Sequence, residues 1–104
     1  MQNLQKLTFI DGTFSPEEIR EILINVYSSK INFHQIKNFS SRERFGKDDK
    51  TATKRIPELK QAMEEVLSII ETAKKNGGQL EIKSDICISL VRSDTIVSGE
   101  ALQA

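Results

Sequence analysis

Tryptophan is absent, and cysteine, histidine and tyrosine occur once each among 104 residues. With five Phe as the remaining aromatics, a core has to be assembled mainly from Ile, Leu and Val. A lone Cys87 excludes an internal disulfide and makes a reducing compartment the expectation. One His and one Cys far apart in sequence fall short of the three or four ligands of a zinc site. Asp48-Asp49 lacks the alternating oxygens and closing Glu of a calcium loop. Gly77-Gly78 leads from helix into strand, the reverse of a phosphate-binding loop. No metal or cofactor is therefore expected. No run approaches the ~20 apolar residues that span a bilayer, and Met1 to Lys6 lacks the apolar stretch of a signal peptide. The expectation is a cytoplasmic protein with no membrane association.

What is present is charge, and it is unevenly placed. The formal net charge is zero, yet residues 30–60 carry nine basic side chains against four acidic ones. Residues 1–29 carry two basic and four acidic, and residues 61–104 four and seven. The middle third is thus the one regional signal for an acidic or phosphate-bearing partner.

Periodicity gives the elements. Leu7 and Phe9 alternate with Lys6 and Thr8, a strand over 4–10, and Asp11-Gly12 reads as a turn. Ser15-Pro16-Glu17-Glu18 is a capping box with Pro at the first helical position. Ile19, Ile22, Leu23, Val26 and Tyr27 then repeat at helical spacing. Continuation to about Phe39 is expected, with Ser40-Ser41-Arg42-Glu43 as a weak second cap and a loop around Gly46 to Lys50. A second helix is expected over about Ala52 to Asn76. Its apolar positions Ile56, Leu59, Met63, Val66, Ile70 and Ala73 step by three and four, and Pro57 either starts or bends it. Asn76-Gly77-Gly78 stops that helix. Leu80, Ile82, Ser84, Ile86, Ile88 and Leu90 alternate along one long strand, because a hairpin at Ser84-Asp85 would break the apolar face.

The fold class expected is α+β, in the order strand, helix, short helix or loop, long helix, strand, with a small antiparallel sheet on two main helices. It forms one domain over 1–104, ordered from about residue 4 to 92. Two strands alone make a marginal sheet with exposed edges, so a homodimer paired across a two-fold axis is expected.

Chemistry is thinly represented. His34 is the one side chain suited to proton transfer near neutrality, but no nucleophile or carboxylate sits at a spacing that proposes a dyad. Cys87, with no cation beside it in sequence, reads as a small apolar filler. The remaining constellation is Phe39, Arg42, Arg44 and Phe45, with Lys47, Lys50, Lys54 and Arg55 beyond. Aromatics bracketing arginines suit single-stranded nucleic acid, and the arginines equally suit an acidic protein or a phosphorylated ligand. The plainer reading makes Phe39 and Phe45 core anchors and leaves the cations solvated. Interleaved acids and a pI near 6.6 favour it.

The stretch Ser29-Lys30-Ile31-Asn32-Phe33-His34-Gln35-Ile36-Lys37-Asn38-Phe39, followed by Arg42-Glu43-Arg44-Phe45-Gly46, resembles a family of small uncharacterised bacterial proteins. The resemblance implies a stand-alone domain of this size and transfers no functional residue. The functional expectation is a homodimeric binding or assembly module, not an enzyme, whose partner surface is Lys30, His34, Lys37, Arg42, Arg44, Lys47, Lys54 and Arg55. Nucleic-acid binding through the same patch is the alternative, and a small enzyme using His34 with Arg42 or Glu43 the third.

Overall fold

Four elements follow in chain order: β1 (Leu4–Phe14), α1 (Pro16–Phe45), α2 (Lys50–Lys75) and β2 (Leu80–Ser89). The computed structural model describes residues 4–91, so the irregular tail expected after Arg92 lies outside the described residues. The class is α+β as expected, a two-stranded antiparallel sheet packed against two helices.

Helix α1 starts where its capping box places it. Ser15 Oγ accepts from the Glu18 N–H at 3.2 Å, and Glu18 Oε1 accepts from the Ser15 N–H at 2.9 Å, so two donors that a helix start leaves orphaned are satisfied. The helix passes straight through Ser40-Ser41, where a second cap was expected, and ends only at Gly46. That glycine has φ 69°, the left-handed conformation a side chain resists, and its N–H reaches Arg42 O at 2.9 Å. Helix α2 begins at Lys50 behind an Asp49 cap and runs through Pro57 without ending there.

The two helices form an antiparallel hairpin around one seam. Ile19 and Ile31 from α1 meet Ala52, Leu59, Ile70 and Ala73 from α2, and all six are buried, with His34 buried among them. Ala52, Leu59, Val66 and Ala73 recur at seven-residue intervals, which keeps one stripe of α2 facing its neighbour. The Leu59–Ile70 seam therefore packs within the chain.

The sheet departs from the sequence reading at Asp11-Gly12. These residues are not a turn: Asp11 pairs with Lys83 and Gly12 with Ile82 inside a strand that runs on to Phe14. The space there is tight: a Cβ on Gly12 would lie 3.2 Å from Cζ of the Phe14 ring, which would have to give by a few tenths of an ångström. A bulge at Phe9 separates the Thr8–Asp85 and Ile10–Ser84 pairs. It has a consequence for the faces. Leu7 and Ile10 are an odd number of residues apart and would lie on opposite sides of a regular strand. The bulge puts Leu7, opposite Ile86, on the same face as Ile10, Phe14, Leu80 and Ile82.

That apolar face is covered only in part. Half-buried residues alternate with exposed ones from Ile10 to Phe14 and from Leu80 to Ser84. From Leu4 to Phe9 and from Asp85 to Val91 every residue is exposed. The molecule is a plate of 51 × 36 × 14 Å, too thin for a core enclosed on both sides.

Candidate functional site: a basic hairpin tip and an apolar cleft

The hairpin tip is held by a short chain of hydrogen bonds. Asn38 Oδ1 accepts from the Asp49 N–H at 2.7 Å, and Asp49 Oδ2 accepts from the Ala52 N–H at 2.9 Å. One residue thus ties α1 to the connection while the next caps α2. Ser41 Oγ donates to Lys47 O at 2.8 Å, and Arg42 Nε lies 3.4 Å from Asp48 Oδ1. These contacts fix a four-residue connection, 46–49, from which Lys47 projects, with Lys50 opening α2 beside it.

Near the tip the seam of α1 is polar: His34 is fully buried, and Asn38 and Ser41 are half-buried. Phe39 stands on the far side of the helix, and Phe45, one heptad beyond Asn38, lies past the last half-buried residue of the seam; they are 67% and 68% exposed. The expectation that these two rings are core anchors is overturned. Phe39, Arg42 and Phe45 stand three residues apart on successive turns, forming one exposed row along the helix.

The eight side chains expected at one surface separate into four places. Arg42, Arg44, Lys47 and Lys54 are exposed at the tip, with Lys37 half-buried beside them. Arg55 turns along α2, its guanidinium 2.7 Å from Glu58. Lys30 sits four turns back from the tip, its ammonium 5.1 Å from the Phe33 ring centroid. His34 belongs to no surface: it is buried, with the Phe33 ring edge-on at 5.3 Å, and Arg42 and Glu43 lie exposed more than two turns away. The geometry that an enzyme built on His34 with those residues would need is not formed.

The second feature was not anticipated. A cavity of about 720 Å³ opens between Phe9 of β1, Val26, Tyr27, Lys30 and Phe33 of α1, and Leu59 of α2. Val26 and Phe33 lie one heptad apart on a side of α1 that α2 does not cover. The bulge brings Phe9 to the opposite wall. The odd Leu7–Ile10 spacing was the available signal for that bulge, and the Val26–Phe33 interval for the second apolar stripe. Beyond the cleft, Leu7, Ile86 and Ile88 continue an apolar surface along the outer half of the sheet.

Cys87, expected as an apolar filler, is exposed and faces Lys6 across the ribbon. That lysine is itself 3.7 Å from Asp85. Among the described residues no group of three or more His, Cys, Asp or Glu is placed to hold a metal ion. No helix among them is long and apolar enough to cross a membrane. The arrangement defines an α+β module with an apolar cleft at one place and a cationic, aromatic helical tip at another. No family model, curated protein or solved structure matches the chain.

Proposed function

We propose that this protein is a homodimeric binding module: the outer sheet face and the cleft close against a second copy, and the basic hairpin tip meets a partner. The carrying observation is that Leu7, Phe9, Phe33, Ile86 and Ile88 form neighbouring, exposed apolar surface while the core among the described residues is small, with six buried hydrophobic side chains and Pro16. Monomeric soluble proteins rarely leave a contiguous patch of this kind open.

A second copy is the occupant that symmetry favours. The uncovered half of the ribbon, 4–9 against 85–89, presents about 200 Å² in plan and the uncovered α1 stripe adds about 200 Å², so side-chain relief has to supply the rest of the roughly 800 Å² per partner of a stable interface. The tip is less suited to self-association, because two copies of one cationic surface repel and charged side chains are depleted from interface cores.

The test is the solution mass by light scattering across a concentration series. A mass near twice 11.8 kDa is expected for the wild type, falling toward the monomer in a Leu7→Ser, Ile88→Ser double variant. A wild-type monomer at every concentration overturns the dimer.

A further inference from the structure

We propose that the hairpin tip binds single-stranded nucleic acid, with Phe39, Arg42 and Phe45 as three successive stacking platforms. This rests on the reading above that the tip is the partner-facing surface, and does not depend on the dimer.

Three observations carry it. The platforms are exposed and follow one i, i+3, i+6 ridge that winds about 120° around α1. Two are phenyl rings, and the third is a guanidinium plane, which also stacks on bases. Consecutive members of the row are about 5–6 Å apart at Cβ. That exceeds the ~3.4 Å step between bases of one strand in a duplex, so bases resting on these groups must be separated from one another. A single strand allows that separation and a duplex resists it.

The second observation is charge. Between residues 37 and 55 there are seven basic side chains and three acidic ones. Two of those acids are engaged internally: Asp49 caps α2 through the Ala52 N–H, and Asp48 pairs with Arg42. Lys47, Lys50, Lys54 and Arg44 remain exposed around the platforms, where phosphates of a stacked strand would run. The third is the exposure of the two rings: Phe39 and Phe45 are about two-thirds exposed while buried His34 and half-buried Asn38 line the seam, so folding alone gains little from them. An anionic bilayer is the competing surface for aromatics among cations, but Arg42 in the middle of the row and Glu43 beside it suit it poorly.

The experiment is fluorescence anisotropy with a fluorescein-labelled oligothymidylate of about 12 nucleotides, within the site sizes typical of such surfaces. A duplex of equal length and phosphatidylglycerol-containing vesicles are run in parallel, and the mass is read on the same samples. The single strand is expected to bind about tenfold or more tightly than the duplex. Four neutralised phosphates give roughly a fiftyfold loss between about 50 and 200 mM salt. Phe39→Ala and Phe45→Ala should each weaken binding about tenfold without altering mass or helicity, and Asp48→Asn should strengthen it.

No binding at low salt, equal binding of the duplex, insensitivity to both Phe substitutions, or binding of vesicles alone would each overturn the proposal. A homodimer that ignores the oligonucleotide removes this inference and leaves the dimer standing. A monomer that binds it does the reverse.

Discussion

Ile69 and Ile70 are chemically identical neighbours on α2, and the fold assigns them opposite weights. Ile70 is 1% exposed at the seam and Ile69 is 55% exposed beside it. Truncating a buried Ile to Ala removes transfer free energy and leaves a cavity that neighbours refill only partly, a cost of about 2–5 kcal/mol. At Ile69 water fills the space, and the loss is about 1 kcal/mol or less, offset by a few tenths from alanine's higher helix propensity. A domain of this size holds roughly 4–13 kcal/mol in total. Ile70→Ala should therefore remove a large fraction of the stability and Ile69→Ala almost none. With no tryptophan to report, helicity by circular dichroism in urea is the suitable signal, at one fixed protein concentration. A fall in midpoint of roughly 1–2 M for Ile70→Ala, against little change for Ile69→Ala, is expected from typical urea slopes. Equal shifts, or a larger one for Ile69→Ala, would refute the seam.

Three further outcomes are expected. If the folded state is the dimer, raising the protein concentration about a hundredfold should add about 2.7 kcal/mol to its apparent stability and shift the urea midpoint upward; a fixed midpoint contradicts it. Gly46→Ala should cost about 1 kcal/mol, because the residue has φ 69° and a Cβ there meets nothing within 4 Å, so the penalty is wholly backbone. Gly78, with equal space and no positive φ, is the control: Gly78→Ala should be neutral or slightly stabilising in the same melt. Asp49→Ala should cost about 1 kcal/mol through the lost cap and speed amide exchange at residues 50–53 more than at the far end of α2.

The parts of the fold legible in the sequence were those fixed by neighbouring residues. The Ser15 capping box, the stop at Asn76-Gly77 and the heptad-like stripe of α2 all act within one or two turns, and each formed where its pattern placed it. Asp11-Gly12 has the composition of a turn, but its conformation is set by Lys83 and Ile82, some seventy positions away. The bulge at Phe9 is set likewise, by the register of the partner strand. The end of α1 was misplaced because its last turns carry no apolar stripe toward α2. When His34, Asn38 and Ser41 make the seam, no apolar stripe marks it: Phe39 falls on the far side of the helix, and Phe45, one heptad from Asn38, lies past the seam's end, so both rings read as interior and neither is. The basic segment was visible as composition. Its division into tip, cleft wall and buried seam needed the helix to be placed against its partner.

The two proposed surfaces are compatible because α1 separates them. Phe33 at the cleft and Phe45 at the tip are twelve residues apart, about 18 Å along the helix axis. Closing the cleft against a second copy therefore leaves the tip uncovered, and a two-fold dimer carries two tips on one assembly. That arrangement has an energetic consequence absent from either surface alone. A short oligonucleotide occupies one tip, whereas a strand long enough to reach both turns the second contact into an intramolecular event, raising affinity by as much as roughly 10²–10⁴-fold without a new contact. The gain with length should vanish in the Leu7→Ser, Ile88→Ser variant while affinity for the short oligonucleotide stays unchanged, since neither residue is at the tip. Anisotropy titrations over a series of oligonucleotide lengths read both quantities. If the length dependence survives in the monomeric variant, the two surfaces are not coupled through the dimer.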